Sequence, residues 1–409
     1  MAKTSFLTAR ISLRRTSVLV LFMLINAFLW YYLTLNIIAI ISKDFNIEQA
    51  ILLSFHASGV IIGGLTGLLF SKNRYKILLL WTLLGAITPL IPLLISISTL
   101  LQFQLICLAW GFSLGLGMPS CLSYFMENIT IENRGRLSGI IFLVSFSCAI
   151  PIAGLVHSFG VVVLYSFFGF WRLLGLIPLL ILQNENRKFE FEKDSAYTVP
   201  MMRNKVLFLY LVPWFMFNIV DNFEGLILRD FMNTTFPEYY SLLQLMHLLF
   251  LGLFAFLGGF LCDLIGRKPV TILGFTTIGI AYAVISVIPR SLLAWFLFSA
   301  CYGSSWGFFY TIFITLIWGD LAPKGLGEKY YFVGNSPLFL AIITQMYFAN
   351  YITHLSETDA FSLAAIFLFL AVIPILFVPE TLPERKIRER ELKKYIEKAR
   401  KIKEKYVKE

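Results

Sequence analysis

Apolar runs of about 18 to 25 residues follow one another along this chain, each long enough as a helix to cross the hydrocarbon core of a bilayer. Lipid offers no water to backbone N–H and C=O groups, so such a run has to satisfy them internally, as a helix does. Twelve spans are read, at 17–41, 50–70, 76–98, 100–126, 137–157, 160–182, 205–229, 240–261, 270–288, 291–318, 330–353 and 361–378. Composition agrees: 58% of the 409 residues are hydrophobic and only 14% are charged, which excludes a soluble globular chain. The first run is too long for the apolar core of a removable signal peptide and is expected to stay as a membrane helix. Cys107, Cys121, Cys148, Cys262 and Cys301 lie in or beside apolar runs, without metal-ligand spacing or a disulfide framework. They are expected to be small packing residues; no metal and no cofactor is expected.

The polar segment 183–204 is the longest interior break. It divides the chain into a six-helix half at 1–182 and a second half at 205–382, followed by a charged tail at 383–409. Thirty of the 34 Lys and Arg residues fall on one side of this arrangement, against Lys43, Arg229 and Arg290 on the other. Positive charge marks cytoplasmic loops. Both termini and the central segment are therefore expected in the cytoplasm, in a multi-pass protein of the plasma membrane. In the tail, Ile387, Leu392, Tyr395, Ile396, Ala399, Ile402 and Tyr406 recur near helical spacing. That predicts an amphipathic helix lying on the anionic headgroups of the cytoplasmic leaflet. Six glutamates dilute its charge and weigh against a nucleic-acid partner.

The halves repeat. At an offset of 192 residues, Gly67 falls on Gly259, Lys76 on Lys268, Gly111 on Gly303, Gly115 on Gly307, Gly135 on Gly327 and Asn26 on Asn218. Internal repeats of this kind belong to transporters that bind at the interface of two bundles. Gly59, Gly63, Gly67, Gly111, Gly115, Gly303 and Gly307 form four-residue pairs that let helices approach closely.

The second half also carries a dense polar stretch, Gly259-Phe-Leu-Cys-Asp263-Leu-Ile-Gly266-Arg267-Lys268. This pattern resembles the cytoplasmic loop signature of the major facilitator superfamily. Glu127 to Gly135, with Arg134, resembles that family's loop between helices 4 and 5, and Asp320 to Gly327 the loop between helices 10 and 11. Pro379-Glu380-Thr381-Leu382 resembles the ending after helix 12 of sugar-type members, without establishing a sugar substrate. Helix 4 lacks the arginine of proton antiporters. The resemblance implies an all-α membrane fold of two six-helix pseudo-repeats. It also implies a cytoplasmic gate built on Gly259, Asp263, Gly266, Arg267 and Lys268 with Glu127 and Arg134. In the first half, Gly67 and Lys76 keep the pattern, while Ser71, Arg74 and Tyr75 depart from it. An asymmetric gate is expected, with Asp263 and Arg267 closing what Ser71 and Tyr75 cannot.

Polar groups inside membrane helices are costly and point to function. Trp214, Asn218, Asp221 and Asn222 share one face of helix 7, with Glu224 a turn further out. Tyr302, Trp306 and Tyr310 share one face of helix 10, and Asn26, Tyr32 and Asn36 mark helix 1. By the resemblance, helices 1, 4, 7 and 10 line the central cavity, which makes these ten residues apart from Glu224 the candidate substrate contacts. A carboxylate there could bind a cation, receive an amine or hydroxyl, or carry a proton. For Asp221 and Glu224 the competing reading is a wet, structural place in the outer mouth. Trp171-Arg172 resembles the pair that opens helix 6 in many members of the family; if helix 6 instead runs 160–182, Arg172 falls near mid-membrane and needs a partner, for which Asp221 or Glu224 is the expectation, giving a coupling set of Asp221, Glu224 and Arg172. His56 and His247 read as packing residues before proton carriers, and Gln102 as interfacial.

The expectation is a monomeric secondary transporter for a small polar or amphipathic solute, working by alternating access, with proton coupling left open. It has no phosphate-binding loop and no catalytic cluster, so neither direct nucleotide drive nor an enzyme is expected. A receptor that binds a solute without moving it is the alternative, motivated by the degraded gate pattern of the first half.

Overall fold

The computed structural model describes residues 2–70, 73–95, 97, 99–156, 161–184, 201, 204–352 and 355–382; among these, regular structure is helical and no strand occurs. Ser71, nearly all of the central segment and the charged tail lie outside the described residues, and with them the expected surface helix. Twelve helical spans follow in order: α1 (Ala2–Asp44), α2 (Gln49–Leu69), α3 (Arg74–Ile87, running on to Leu94), α4 (Leu100–Asn128), α5 (Arg134–Val156) and α6 (Val161–Leu173 with Leu176–Asn184). The second half repeats them as α7 (Lys205–Thr235), α8 (Tyr240–Ile265), α9 (Arg267–Val287), α10 (Leu292–Leu321), α11 (Gly327–Ile352) and α12 (Glu357–Leu376). Eleven are long and apolar enough to cross a membrane. The twelfth, α11, carries Glu328, Lys329, Asn335 and Gln345 within its span.

The helices begin and bend where local chemistry dictates. Thr99 and Gln102 form a reciprocal capping box at the start of α4, which is the role of Gln102. Asn204, Ser291 and Ser356 cap α7, α10 and α12 by accepting backbone N–H bonds. Pro89 and Pro92 carry α3 through a 3-10 turn at Thr88–Leu90. α10 widens into a π-helical stretch at Tyr310–Leu316, a form that occurs mostly where function needs it. That stretch stitches α10 to its neighbours: Thr311 donates to the Ala255 carbonyl at 3.0 Å, and Tyr331 to the Thr315 carbonyl at 2.5 Å.

Glycines set the closest packing. A Cβ on Gly59, Gly63 or Gly67 of α2, or on Gly111 or Gly115 of α4, would meet the backbone of the facing helix. Gly303 and Gly307 do the same for α10 against α8. The two most extensive pairings between the halves are α2 with α11, and α5 with α8. In the second, Gly135 and Gly259 each face the other's carbonyl. Leu, Ile, Val and Phe side chains such as Leu69, Val162, Phe170, Leu293 and Phe377 stand exposed on the outside, as a lipid-facing surface requires. Below, the gate end is the one holding Glu127, Arg134 and Arg267, and the far end the one holding Asp44, Gln49 and Arg229.

Candidate functional site

At the gate end the charges predicted from the loop signature converge. Gly266, at φ +105°, turns the chain from α8 into α9 with no room for a side chain. The first two amides of α9, those of Arg267 and Lys268, donate to the Glu380 carboxylate at 2.8 and 3.0 Å. Glu380, beyond α12, is thus the anionic cap of α9. The Arg267 side chain is fully buried. Its Nε donates to Asp320 at 3.0 Å, and its two Nη atoms to the carbonyls of Cys262 and Ile131 at 2.9 Å each. Asp320 also accepts from Arg134 at 2.8 Å. Asp263 accepts from the backbone amides of Gly135 and Arg136 at 3.0 and 2.9 Å, at the N-terminus of α5 in the other half. Asp263 lies 3.7 Å from Arg267, outside hydrogen-bond reach, so its main partner is a helix end and Arg267's is Asp320.

The first half holds a second lock, which corrects the expected asymmetry. Arg74 is buried and grips Glu127 with two parallel bonds of 2.6 and 2.9 Å. Its Nε donates to Glu328 of α11 at 3.1 Å, across the boundary between halves. Arg74 and Glu127 stand 193 residues before Arg267 and Asp320, so both members of the lock have slipped one place from the general offset. That is why Tyr75 fell opposite Arg267 in the sequence. Tyr75 instead bonds Gln183 through its hydroxyl.

Toward the far end, α7 and α10 meet at Asp221. Its Oδ1 accepts from the Tyr302 hydroxyl at 2.5 Å and from the Trp306 indole at 3.1 Å. The four-residue spacing of Tyr302 and Trp306 aims both at one carboxylate. Trp306 packs on Tyr310 at 5.2 Å between ring centres, and Tyr310 reaches Phe142 and Phe146 of the other half. Tyr310 also lines a mostly apolar central cavity of about 60 Å³ between the halves, with Phe28, Tyr31, Met118, Asn335 and Phe339. The Asn335 side-chain oxygen is buried without a hydrogen-bond partner. The Glu224 carboxyl is buried too, and one of its oxygens has none.

Other candidates are placed elsewhere. Asn26 is a clamp within the first half: its side chain donates to the Trp171 carbonyl at 2.6 Å and accepts from Arg172 at 2.7 Å. Arg172 is therefore not paired with Asp221 or Glu224; it lies 3.9 Å over the Trp81 ring and bonds Asn26. Trp214 is fully buried, stacked on Phe313 at 4.7 Å, in the core of the second half. Asn218 and Asn222 turn their amides to carbonyls one turn back, those of Trp214 and Asn218, and Asn36 does the same toward Tyr32. Tyr32 packs edge-on against Phe146; its neighbour Tyr31 is the one lining the cavity. The cavity is lined by α1, α2, α4, α10 and α11, and not by α7. Sequence reasoning missed Tyr31, Asn335 and Glu328, and it quoted Glu380 in the ending after helix 12 without its role as the cap of α9. Asn335 carried a signal, as a polar side chain in the span read at 330–353, whereas Glu328 fell just outside that span.

Two repeated six-helix bundles, meeting at a central cavity and clamped by charge at one end, define a polytopic membrane fold of paired bundles. The chain has the fold of the major facilitator superfamily. It is similar to the proton:xylose symporter XylE bound to 6-bromo-6-deoxy-D-glucose, with a TM-score of 0.65 and 16% identity over 90% of this chain and 96% of that one. It is similar to the human organic anion transporter MFSD10, with a TM-score of 0.66 and 13% identity over 89% and 99%. A bacterial homologue of the iron transporter ferroportin, in its outward-facing state, matches with a TM-score of 0.68 and 11% identity over 89% and 98%. No family model and no curated protein matches the chain.

Proposed function

We propose that the protein is a secondary transporter that moves a small polar or amphipathic organic solute by alternating access. The observation that carries this reading is the pair of gate-end locks. Each half contributes one buried arginine, and both locks make bonds across the boundary between halves: Arg74 to Glu328, and Arg267 to the Ile131 carbonyl with Asp320 held by Arg134. Such contacts hold one end closed and must break for it to open. The gate end is the cytoplasmic end in this reading, by its excess of positive charge. The protein acts as a monomer in the plasma membrane, its tail on anionic headgroups.

The solute passes the central cavity beside Tyr31, Tyr310 and Asn335. Asp221, held by Tyr302 and Trp306, is the coupling acid if protons drive the movement. Purified protein in liposomes, given a solute panel with and without an imposed pH gradient, tests this. Accumulation that follows the gradient and is lost in Asp221→Asn supports proton coupling. Equal accumulation in Asp221→Asn removes that role from Asp221. Binding without flux for every solute supports the receptor reading. That alternative rested on a decayed first gate, and the Arg74 lock weighs in favour of the transporter.

A further inference from the structure

A second cavity, of about 250 Å³, lies at the far end within the second half, where α7, α8 and α10 face one another. That volume is far above the roughly 10–15 Å³ needed to admit one water, and leaves room for several waters or for a small organic molecule. Its lining is divided. Leu228, Leu243, Trp295 and Phe298 form an apolar wall. Arg229, Gln244, His247 and Tyr302 form a polar one. Among the described residues of the lining, Arg229 is the only charged side chain. Asp221 and Glu224 are outside it, and Asp221 is already held by Tyr302 and Trp306.

Two groups in the polar wall are under-used. The His247 Nε2 is buried without a hydrogen-bond partner, its ring edge-on to Tyr302 at 4.7 Å. Arg229 donates to the Gln49 side-chain oxygen at 2.9 Å, a neutral acceptor on α2 of the other half. A guanidinium binds a carboxylate or phosphate roughly twice as strongly as a neutral oxygen. A wall with a guanidinium, an imidazole and an amide but no carboxylate selects an acidic head, and the facing aromatic wall selects an apolar body.

We propose that this far-end cavity binds an amphipathic organic anion, its acidic head on Arg229 and its apolar body against Trp295 and Phe298. The site is separate from the central cavity, and its occupancy requires no flux. Because Arg229 also ties the halves together through Gln49, the anion competes with that tie and loosens it. The acid is either a soluble carboxylate or the head of an acidic lipid.

The test uses the full chain in phosphatidylcholine nanodiscs, titrated calorimetrically with hexanoate, hexanamide and hexylamine. Hexanoate is expected to bind about tenfold or more tightly than either analogue. Arg229→Gln is expected to weaken hexanoate by about tenfold or more and Arg229→Lys by less, with helical content unchanged by circular dichroism. Gln49→Leu is expected to bind hexanoate more tightly, since the competing acceptor is gone. Phosphatidylglycerol that displaces hexanoate identifies a lipid occupant; hexanoate binding indifferent to it identifies a soluble one. Equal binding of hexanoate and hexanamide overturns the proposal. So does hexanoate binding unchanged in Arg229→Gln, or a native protein that responds to neither hexanoate nor phosphatidylglycerol.

Discussion

Arg74 and Arg267 do the same work with different neighbours. Arg267 stands between Asp320 and two carbonyls, and Arg74 between Glu127 and Glu328. Removing one partner of a buried ion pair leaves the other uncompensated, at a cost of about 3–5 kcal/mol. Arg74→Gln is therefore expected to lower stability by about 3 kcal/mol or more, read as a fall in thermal midpoint. A double-mutant cycle with Glu328→Gln should return a coupling of about 1–3 kcal/mol; additive losses would mean that the two residues do not act together. The amides of Gly135 and Arg136 each use a different Asp263 oxygen, so Asp263→Asn keeps an acceptor for only one of them and also loses the charge. It is expected to favour opening of the gate end. The check is maleimide labelling of Met118→Cys in the central cavity, from the gate side, in a background without the five native cysteines. Faster labelling in Asp263→Asn is the expected result, and an unchanged rate counts against it. The individual contacts were the least legible part of the chain. Tyr31 and Tyr32 are both tyrosines on one helix, and only the rotation of α1 decides which lines the cavity. Asn26 looked like a ligand group because a buried amide invites that reading, while its true partners lie some 145 residues away. No local pattern reports such a distance.

At the scale of helices, spacing was the informative quantity. The glycine pairs on α2 and α4 were readable as close-packing sites, and each now faces a backbone carbonyl or amide. Backbone cannot swing aside as a side-chain tip can. Gly63→Val is therefore expected to cost about 3 kcal/mol or more, seen as a large loss of folded protein in detergent. Gly225 on α7 has nothing within 4 Å of the place a methyl group would take. Gly225→Ala is expected to be neutral or stabilising by up to about 1 kcal/mol, since alanine is the better helix former. Equal behaviour of the two variants in a thermal unfolding series would refute this account of α2 and α4. Helix ends were read from run lengths alone, so α7 runs to Thr235, past the expected 229, and the Thr99–Gln102 box and the Asn204, Ser291 and Ser356 caps went unread. The π-helical stretch of α10 was not legible, because Tyr310–Leu316 reads as one more apolar turn. Its cause lies in the bonds that α8 and α11 offer it.

The whole architecture was the most legible level, because lipid leaves an apolar chain so few ways to satisfy its backbone. The span count and the division into halves followed from run lengths and one long polar segment. The offset of 192 residues carried the repeat but placed the first lock one residue out of step. Orientation is a proposal from charge alone, and it predicts that epitope tags at both termini are reached by antibody only after the membrane is permeabilised. A tag reached on intact cells would reverse the assignment. The paired locks have one more consequence. A door fastened at a single edge can be prised open a little at a time. One bolted on both sides of its swing moves only when both bolts are drawn. With an arginine bolt in each half, the gate end of the proposed transporter is expected to be either shut or open, with no half-open passage between.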